Sequence, residues 1–390
     1  MSGSGRIIFS GMPIYFERKW VMDYAVVVEG KQFKAIIPAN MAKHHLPAKK
    51  IHYGPDHRLI PGLIDLHVHG ANGHDVMDGS VEALQGMSLA LASEGVTNFL
   101  ATTMTAPPEA LAKVLPVIAK AHDQLEGAAI LGVHLEGPFI AKEKVGAQDA
   151  RYTSLPDEAL FAKWQNLSGD RIRVVTLAPE LTGAVNFIKM LRKNNVVASL
   201  GHTNAAYDAT MAAIQAGATQ ATHLFNAMQG VHQRDPGAAV ALLLADEVTA
   251  ELIADGHHLH DAMLALALRV KGFDRLLLVS DAMRAKCLND GTYELGGQSV
   301  VVKEGRATLA DGRLAGSTLK LSKAIKRMAE GTHCSLADAV YMATYAPARV
   351  LQCETHKGSI EVGKDADLTI LNADFDAVYT MREGKVCYRA

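Results

Sequence analysis

The sequence predicts an α/β fold: a (β/α)8 barrel of the TIM type, with a small β-sandwich domain formed by both termini. Three observations carry this expectation. Eight short apolar runs between residues 59 and 282 alternate with helical stretches, the pattern of parallel strands joined by crossover helices. Eight is the number of strands that closes such a barrel. The two ends of the chain, by contrast, hold only short β-type runs separated by turn residues. An open doubly wound sheet fits less well, because no glycine-rich phosphate turn follows the first run.

The runs are LIPGLIDLHVHG (59–70), VTNFLATT (96–103), AAILGVHLEG (128–137), RVVTLAPE (173–180), VVASLGH (196–202), ATQATHLFN (218–226), TAELIADG (249–256) and RLLLVSDA (275–282). Stretches such as SVEALQGMSLALASEG (80–95), PPEALAKVLPVIAKAHDQL (107–125) and NAAYDATMAAIQAG (204–217) have helical character between them. The segment 287–317 reads as hairpins inserted between the eighth strand and the last helices. Ahead of the runs lie AVVVEG, KAIIPA and IHYG, and behind them the β-type tail 358–390. The expected division is therefore 59–352 for the barrel, with 1–58 and 353–390 sharing one discontinuous sandwich.

Composition excludes several classes of function. The chain has 390 residues, with 39 Lys and Arg against 41 Asp and Glu. A net charge of −2 gives no electrostatic case for nucleic acid or an anionic membrane. The longest apolar stretches, such as GAAVALLLA, are too short to span a bilayer. The first residues show no apolar core with a cleavage pattern. Four scattered cysteines suggest neither a disulfide frame nor a thiolate metal site. The expected location is the cytoplasm.

The polar residues stand out against this apolar frame. Strand alternation puts Leu63, Asp65, His67 and His69 on one face of the first run. The third run ends in His134-Leu-Glu136, the fifth in Gly201-His202, and the sixth carries His223 and Asn226. The seventh ends in Asp255-Gly-His257-His258 and the eighth in Ser280-Asp281. In such a barrel the C-terminal ends of the strands form one face, and catalytic groups gather there. A single strand-end histidine is more often a satisfied polar residue than a ligand. Recurrence at equivalent positions on several strands points instead to metal. Imidazole and carboxylate suit Zn²⁺ and divalent iron. Such an ion lowers the pKa of water to about 7, and Asp281 is placed to act as general base and then acid. Asp65 either orients one of the histidines or is a buried carboxylate bonded to backbone. No G-x-S-x-G elbow is present and no cysteine joins the set, so a covalent nucleophile is disfavoured.

With these residues in view, the chain resembles the amidohydrolase superfamily, and more narrowly the N-acetylglucosamine-6-phosphate deacetylases. The matching segments are PGLIDLHVHG, HLEGPF (134–139), LGHTNA (200–205), THLFNAMQGVHQRDPG (222–237), ELIADGHHLH (251–260), LVSDAM (278–283), LAGSTL (314–319) and ATYAPARVLQ (343–352). The resemblance implies a hydrolysis of N-acetylglucosamine 6-phosphate to glucosamine 6-phosphate and acetate. It implies that Glu136, His202 and His223 bind the principal metal and that Asp281 moves the proton. His67 and His69 are the strand-one pair and admit a second metal, so one or two ions per subunit are expected. Zinc leads, with iron, manganese, cobalt or nickel as alternatives. Asn226 and Ala227 would contact the sugar phosphate, and His258 is the substrate histidine, with His257 as the fallback. Ala147, Gln148 and the turn Leu314, Ala315 and Gly316 would line the sugar and acetyl pockets. Gln148 stands where single-metal members carry a histidine. Arg234 resembles an arginine that reaches the phosphate across a homodimer interface, a use that suits the guanidinium fork.

The same residues leave three other readings open. One is deacetylation of the galactosamine epimer. Another is a cyclic amidase; those binuclear enzymes usually carry a modified lysine on strand four, whereas strand four here ends in TLAPE, with Glu136 as the candidate bridge. The third is a barrel that has lost activity, against which the intact set of Asp281 and five ligands argues.

Overall fold

The computed structural model describes residues 5–390; residues 1–4, expected at the start of the terminal sandwich, lie outside the described residues. Eight strands form one sheet with neighbours in chain order. They are β1 Leu63–Val68, β2 Val96–Thr103, β3 Ala129–Glu136, β4 Ile172–Leu177, β5 Val197–Leu200, β6 Gln220–Ala221, β7 Thr249–Leu252 and β8 Leu276–Leu278. Every adjacent pair is parallel. Helices cross between them, and two start on side-chain caps the sequence supplies: Ser80 accepts from the N–H of Ala83 at the start of Val81–Ser93, and Asp157 from that of Leu160 at the start of Glu158–Leu167. Their apolar sides pack on the barrel in one large core that includes Phe99, Phe139, Trp164 and Phe187.

The ring closes between its first and last strands. Val68 bridges Ala282 in parallel, Asp281 N–H donates to His67 O at 2.8 Å, and His69 N–H donates to Ala282 O at 2.9 Å. Asp65 completes the seam. Its carboxylate accepts from Ser280 Oγ at 2.5 Å, Ser280 N at 3.2 Å and His67 N at 3.3 Å. Of the two readings of Asp65, the backbone-bonded carboxylate is therefore the one realised. It touches no imidazole nitrogen in this set of bonds.

The first apolar run is two strands rather than one. Arg58–Pro61 ends at a proline, and a Cβ on Gly62 would lie 2.2 Å from Thr97 Oγ1, so the chain steps past β2 before β1 begins. Arg58–Pro61 pairs antiparallel with Leu368–Leu371 and thus joins strands from both ends of the chain. That six-stranded sheet runs Lys385–Arg389, Ala377–Arg382, Leu368–Leu371, Arg58–Pro61, Ile14–Phe16, Lys19–Val21. A four-stranded sheet from residues 7–52 faces it across a core of Phe9, Val26, Phe33, Leu59, Ile370 and Tyr379. We read the two sheets as the sandwich unit, with its edge at Pro61 rather than at residue 58. Residues 291–308 form the expected insert, a three-stranded antiparallel sheet. No helix among the described residues is long and apolar enough to cross a membrane.

Replacing Asp65 by Ala should open the seam. Two buried N–H groups lose their acceptor, at a cost of about 1–3 kcal/mol each. Denaturant unfolding should show a midpoint well below that of the parent; an unchanged midpoint would remove Asp65 from barrel closure.

Candidate active site

Six rim residues from five strand ends converge here, and Glu136 lies at their centre. Glu136 closes β3 and is 2% exposed. Its Oε1 lies 3.1 Å from His202 Nε2, 3.2 Å from His223 Nε2 and 3.4 Å from His67 Nε2. The Nε2 atoms of His202 and His223 are themselves 3.1 Å apart. Its Oε2 lies 3.2 Å from His69 Nε2. Asp281 Oδ1 stands 3.3 Å from Nε2 of both His67 and His69.

The histidines are turned so that each offers Nε2 to this point. His69 Nδ1 faces Thr102 O at 3.2 Å and His202 Nδ1 faces Lys144 O at 2.8 Å. Those acceptors fix Nδ1 as the protonated nitrogen, which leaves Nε2 as the lone-pair donor. The backbone is bent to achieve it: His202, His223 and Asp281 have φ of 48°, 31° and 47°. Non-glycine residues held there cost of order 1–3 kcal/mol each, and such strain concentrates at functional sites. Gly146 beside the His202 ring has a φ of 57°, a left-handed conformation that favours glycine.

The electrostatics calls for a cation. Burial would push Glu136 up, but His67, His202 and His223 around it hold it well below the usual carboxylate range. Asp281 behaves alike: burial opposes ionisation, and His67 and then His69 bring its pKa down. Burial would push His69 down, yet Asp281 and Glu136 raise it to about 9. Ionised carboxylates facing buried imidazoles need positive charge at the Nε2 side. The distances suit a metal ion. Ligand bonds of about 2.0–2.1 Å in a tetrahedron place ligand atoms roughly 3.3 Å apart, and the Glu136–His202–His223 triangle has edges of 3.1, 3.2 and 3.1 Å. His67 Nε2 is buried with no hydrogen-bond partner, a second sign of a missing electrophile. His67, His69 and Asp281 form a second such group.

A cavity of about 360 Å³ opens over this centre. Ala147, Gln148, Asn226, Ala227, His258, Leu314 and Gly316 line it. Ala315 does not; it is fully buried in an apolar cluster with Leu295, Val300 and Val302 of the insert. His257 is exposed and His258 is the one at the cavity. Arg234 sits on an exposed loop and does not line its own chain's cavity. Gln148 is committed on both sides: Thr105 N–H donates to its Oε1 at 2.6 Å, and its Nε2 donates to Glu136 Oε2 at 2.5 Å.

Sequence reasoning missed several contributors. Asp255 Oδ2 holds His258 Nδ1 at 2.7 Å and its Oδ1 accepts from His258 N–H at 2.8 Å. The signal was the Asp-Gly-His-His run itself. Glu251 faces His67 Nδ1 at 3.0 Å from inside β7; a glutamate amid TAELIADG was the clue. Lys144 and Arg313 also line the cavity, and nothing in the linear sequence set them apart from surface cations.

A barrel with this rim defines a hydrolase that works through a divalent metal. The chain belongs to the amidohydrolase family, whose family model matches residues 58–387. It is 42% identical over 345 residues to the N-acetylglucosamine-6-phosphate deacetylase of Bacillus subtilis (strain 168), covering 87% of each chain. It is 36% identical over 358 residues to the N-acetylgalactosamine-6-phosphate deacetylase of Escherichia coli O157:H7, covering 92% of this chain and 93% of that one. Among solved structures, the N-acetylglucosamine-6-phosphate deacetylase from Pasteurella multocida superposes with a TM-score of 0.92 at 30% identity, over 98% of this chain and 99% of that one.

Proposed function

We propose that the protein hydrolyses the acetamide of N-acetylglucosamine 6-phosphate to glucosamine 6-phosphate and acetate, a step of amino-sugar catabolism. The observation that carries this reading is the convergence of Glu136, His202 and His223 beside Asp281 at the floor of one cavity. Similarity to deacetylases of 6-phosphosugars over nearly the whole chain supports the choice of substrate.

Glu136, His202 and His223 would hold the principal ion, zinc by the character of its ligands, and His67 with His69 would hold a second. When bound, such an ion polarises a carbonyl oxygen and lowers the pKa of water to about 7. Asp281 takes the proton of the attacking water. It then delivers that proton to the nitrogen as the C–N bond breaks, so the amine leaves neutral, and the new carboxyl group keeps the water oxygen and releases its remaining proton to solvent as acetate. Gln148, fixed by Thr105, keeps Glu136 from turning away from the imidazoles. Asp255 fixes the His258 ring with Nδ1 as donor, which leaves its other nitrogen for a sugar hydroxyl. Asn226 and Ala227 contact the sugar phosphate, which also meets Lys144 and Arg313 at the cavity wall. The active unit is a cytoplasmic homodimer in which Arg234 completes the partner's phosphate site.

Acetate release tests the substrate directly. N-acetylglucosamine 6-phosphate should be turned over faster than the galactosamine epimer and far faster than the unphosphorylated sugar. Activity should vanish on chelation and return with divalent metal. A preference for the galactosamine epimer would move the assignment to that sugar, and equal use of the unphosphorylated sugar would overturn the phosphate reading.

Asp281→Asn should retain metal and substrate but lose about 10²–10⁴-fold in kcat, because an amide cannot accept the proton. Near-normal turnover would remove Asp281 from the mechanism.

Arg234→Ala and Asp281→Asn, each inactive alone, should partly restore activity when mixed and allowed to exchange subunits. One site of the mixed dimer then pairs an intact Asp281 with an intact Arg234 from its neighbour. No recovery, with exchange verified by labelled subunits, would place Arg234 in its own chain's function.

A further inference from the structure

Glu251 is a buried carboxylate that the reaction outlined above does not use. It lies in β7 at 0% exposure. Its Oε2 accepts from His223 N–H at 3.0 Å and faces His67 Nδ1 at 3.0 Å, while its Oε1 accepts from Gln220 Nε2 at 2.6 Å. A carboxylate here can only accept, so Nδ1 of His67 carries the hydrogen and Nε2 carries the lone pair. That Nε2 is buried at the rim without a hydrogen-bond partner. His69 and His202 have their Nδ1 on main-chain carbonyls, whereas His67 has a full carboxylate behind it.

We infer that Glu251 is a positioning residue for the His67 half of the metal centre. A single oxygen fixes the tautomer and ring plane of His67 and ties that ring to the backbone of His223. Ligands from β1 and β6 are thereby set relative to one another by one atom. A carboxylate behind an imidazole also strengthens the opposite nitrogen as a ligand, and loss of such a partner typically weakens metal binding 10–100-fold. The nearby trio of His67, His134 and Glu251 is not itself a cation site. His134 Nδ1 donates to Leu66 O and its Nε2 accepts from Thr176 Oγ1, so no lone pair remains, and Glu251 already faces His67.

The inference rests on the proposed role of His67 as a ligand, and the test separates the two. Glu251→Gln removes the charge and keeps the shape. Gln220 Oε1 is buried without a partner, so Gln220 can turn its amide and accept from the new side chain. The full-length apoprotein would be titrated with Co²⁺ alone and followed by visible absorption, in the parent, Glu251→Gln, His67→Gln and the double variant. Glu251→Gln should lower Co²⁺ affinity roughly 10–100-fold in the parent background and have no further effect once His67 is replaced. An equal loss in both backgrounds, or none in the parent, overturns the inference. A general weakening of the fold would appear in both backgrounds, so the cycle still decides. If His67→Gln leaves Co²⁺ affinity unchanged, His67 is no ligand and the inference falls, while acetate release continues to test the deacetylase reading on its own.

Discussion

One oxygen of Glu136 organises the catalytic end of this molecule. Three imidazole nitrogens from three other strands point at it within 3.4 Å, at a position sealed from solvent. Like-oriented lone pairs and a carboxylate do not stay together by mutual attraction. Three of the four rim rings are held from behind, His69 by Thr102, His202 by Lys144 and His67 by Glu251, whereas His223 is fixed through its backbone N–H on Glu251. The arrangement is preorganised for a divalent cation, and its electrostatic stress is what such a cation relieves. Strained φ angles at His202, His223 and Asp281 are the backbone's share of that preorganisation.

Beneath the centre the barrel interior is unusually polar. Such interiors are filled mostly by branched apolar residues. Here His134 bonds Thr176, Thr176 bonds Thr222, and Thr222 bonds Ser199, at 2.7, 2.7 and 2.6 Å. Gln220 and Glu251 continue the layer on the neighbouring strands. Burial, and next the His67 ring at 4.6 Å, push His134 down to about 4 and keep it neutral. Networks of this kind cost stability if one partner is missing and add rigidity when complete. The layer therefore serves as the floor on which the ligand rings rest.

Much of this was legible in the sequence because the rim residues interrupt apolar strands at matching positions. Glu136, His202, His223 and Asp281 each close a run, and the barrel's topology forces run ends to one face. Residues that support others were harder to see. Glu251 occupies a mid-strand position with ordinary β periodicity, and only the pairing of β7 with β6 brings it to His67 and His223. Asp65 could be recognised as buried, but its partner Ser280 is 215 residues away. The break at Pro61 was hidden because the apolar run continues across it, and the terminal sheet depends on pairing Arg58–Pro61 with Leu368–Leu371, a contact no local pattern records. Ala315 lies between two cavity residues and turns inward, a matter of one residue's orientation.

If the rim is a metal centre, crystals of the metal-loaded protein measured at the metal's absorption edge will show it. An anomalous peak should lie between Glu136, His202 and His223, within bonding distance of all three. A peak elsewhere in the molecule, or none there with a stoichiometric amount of metal bound, would contradict it.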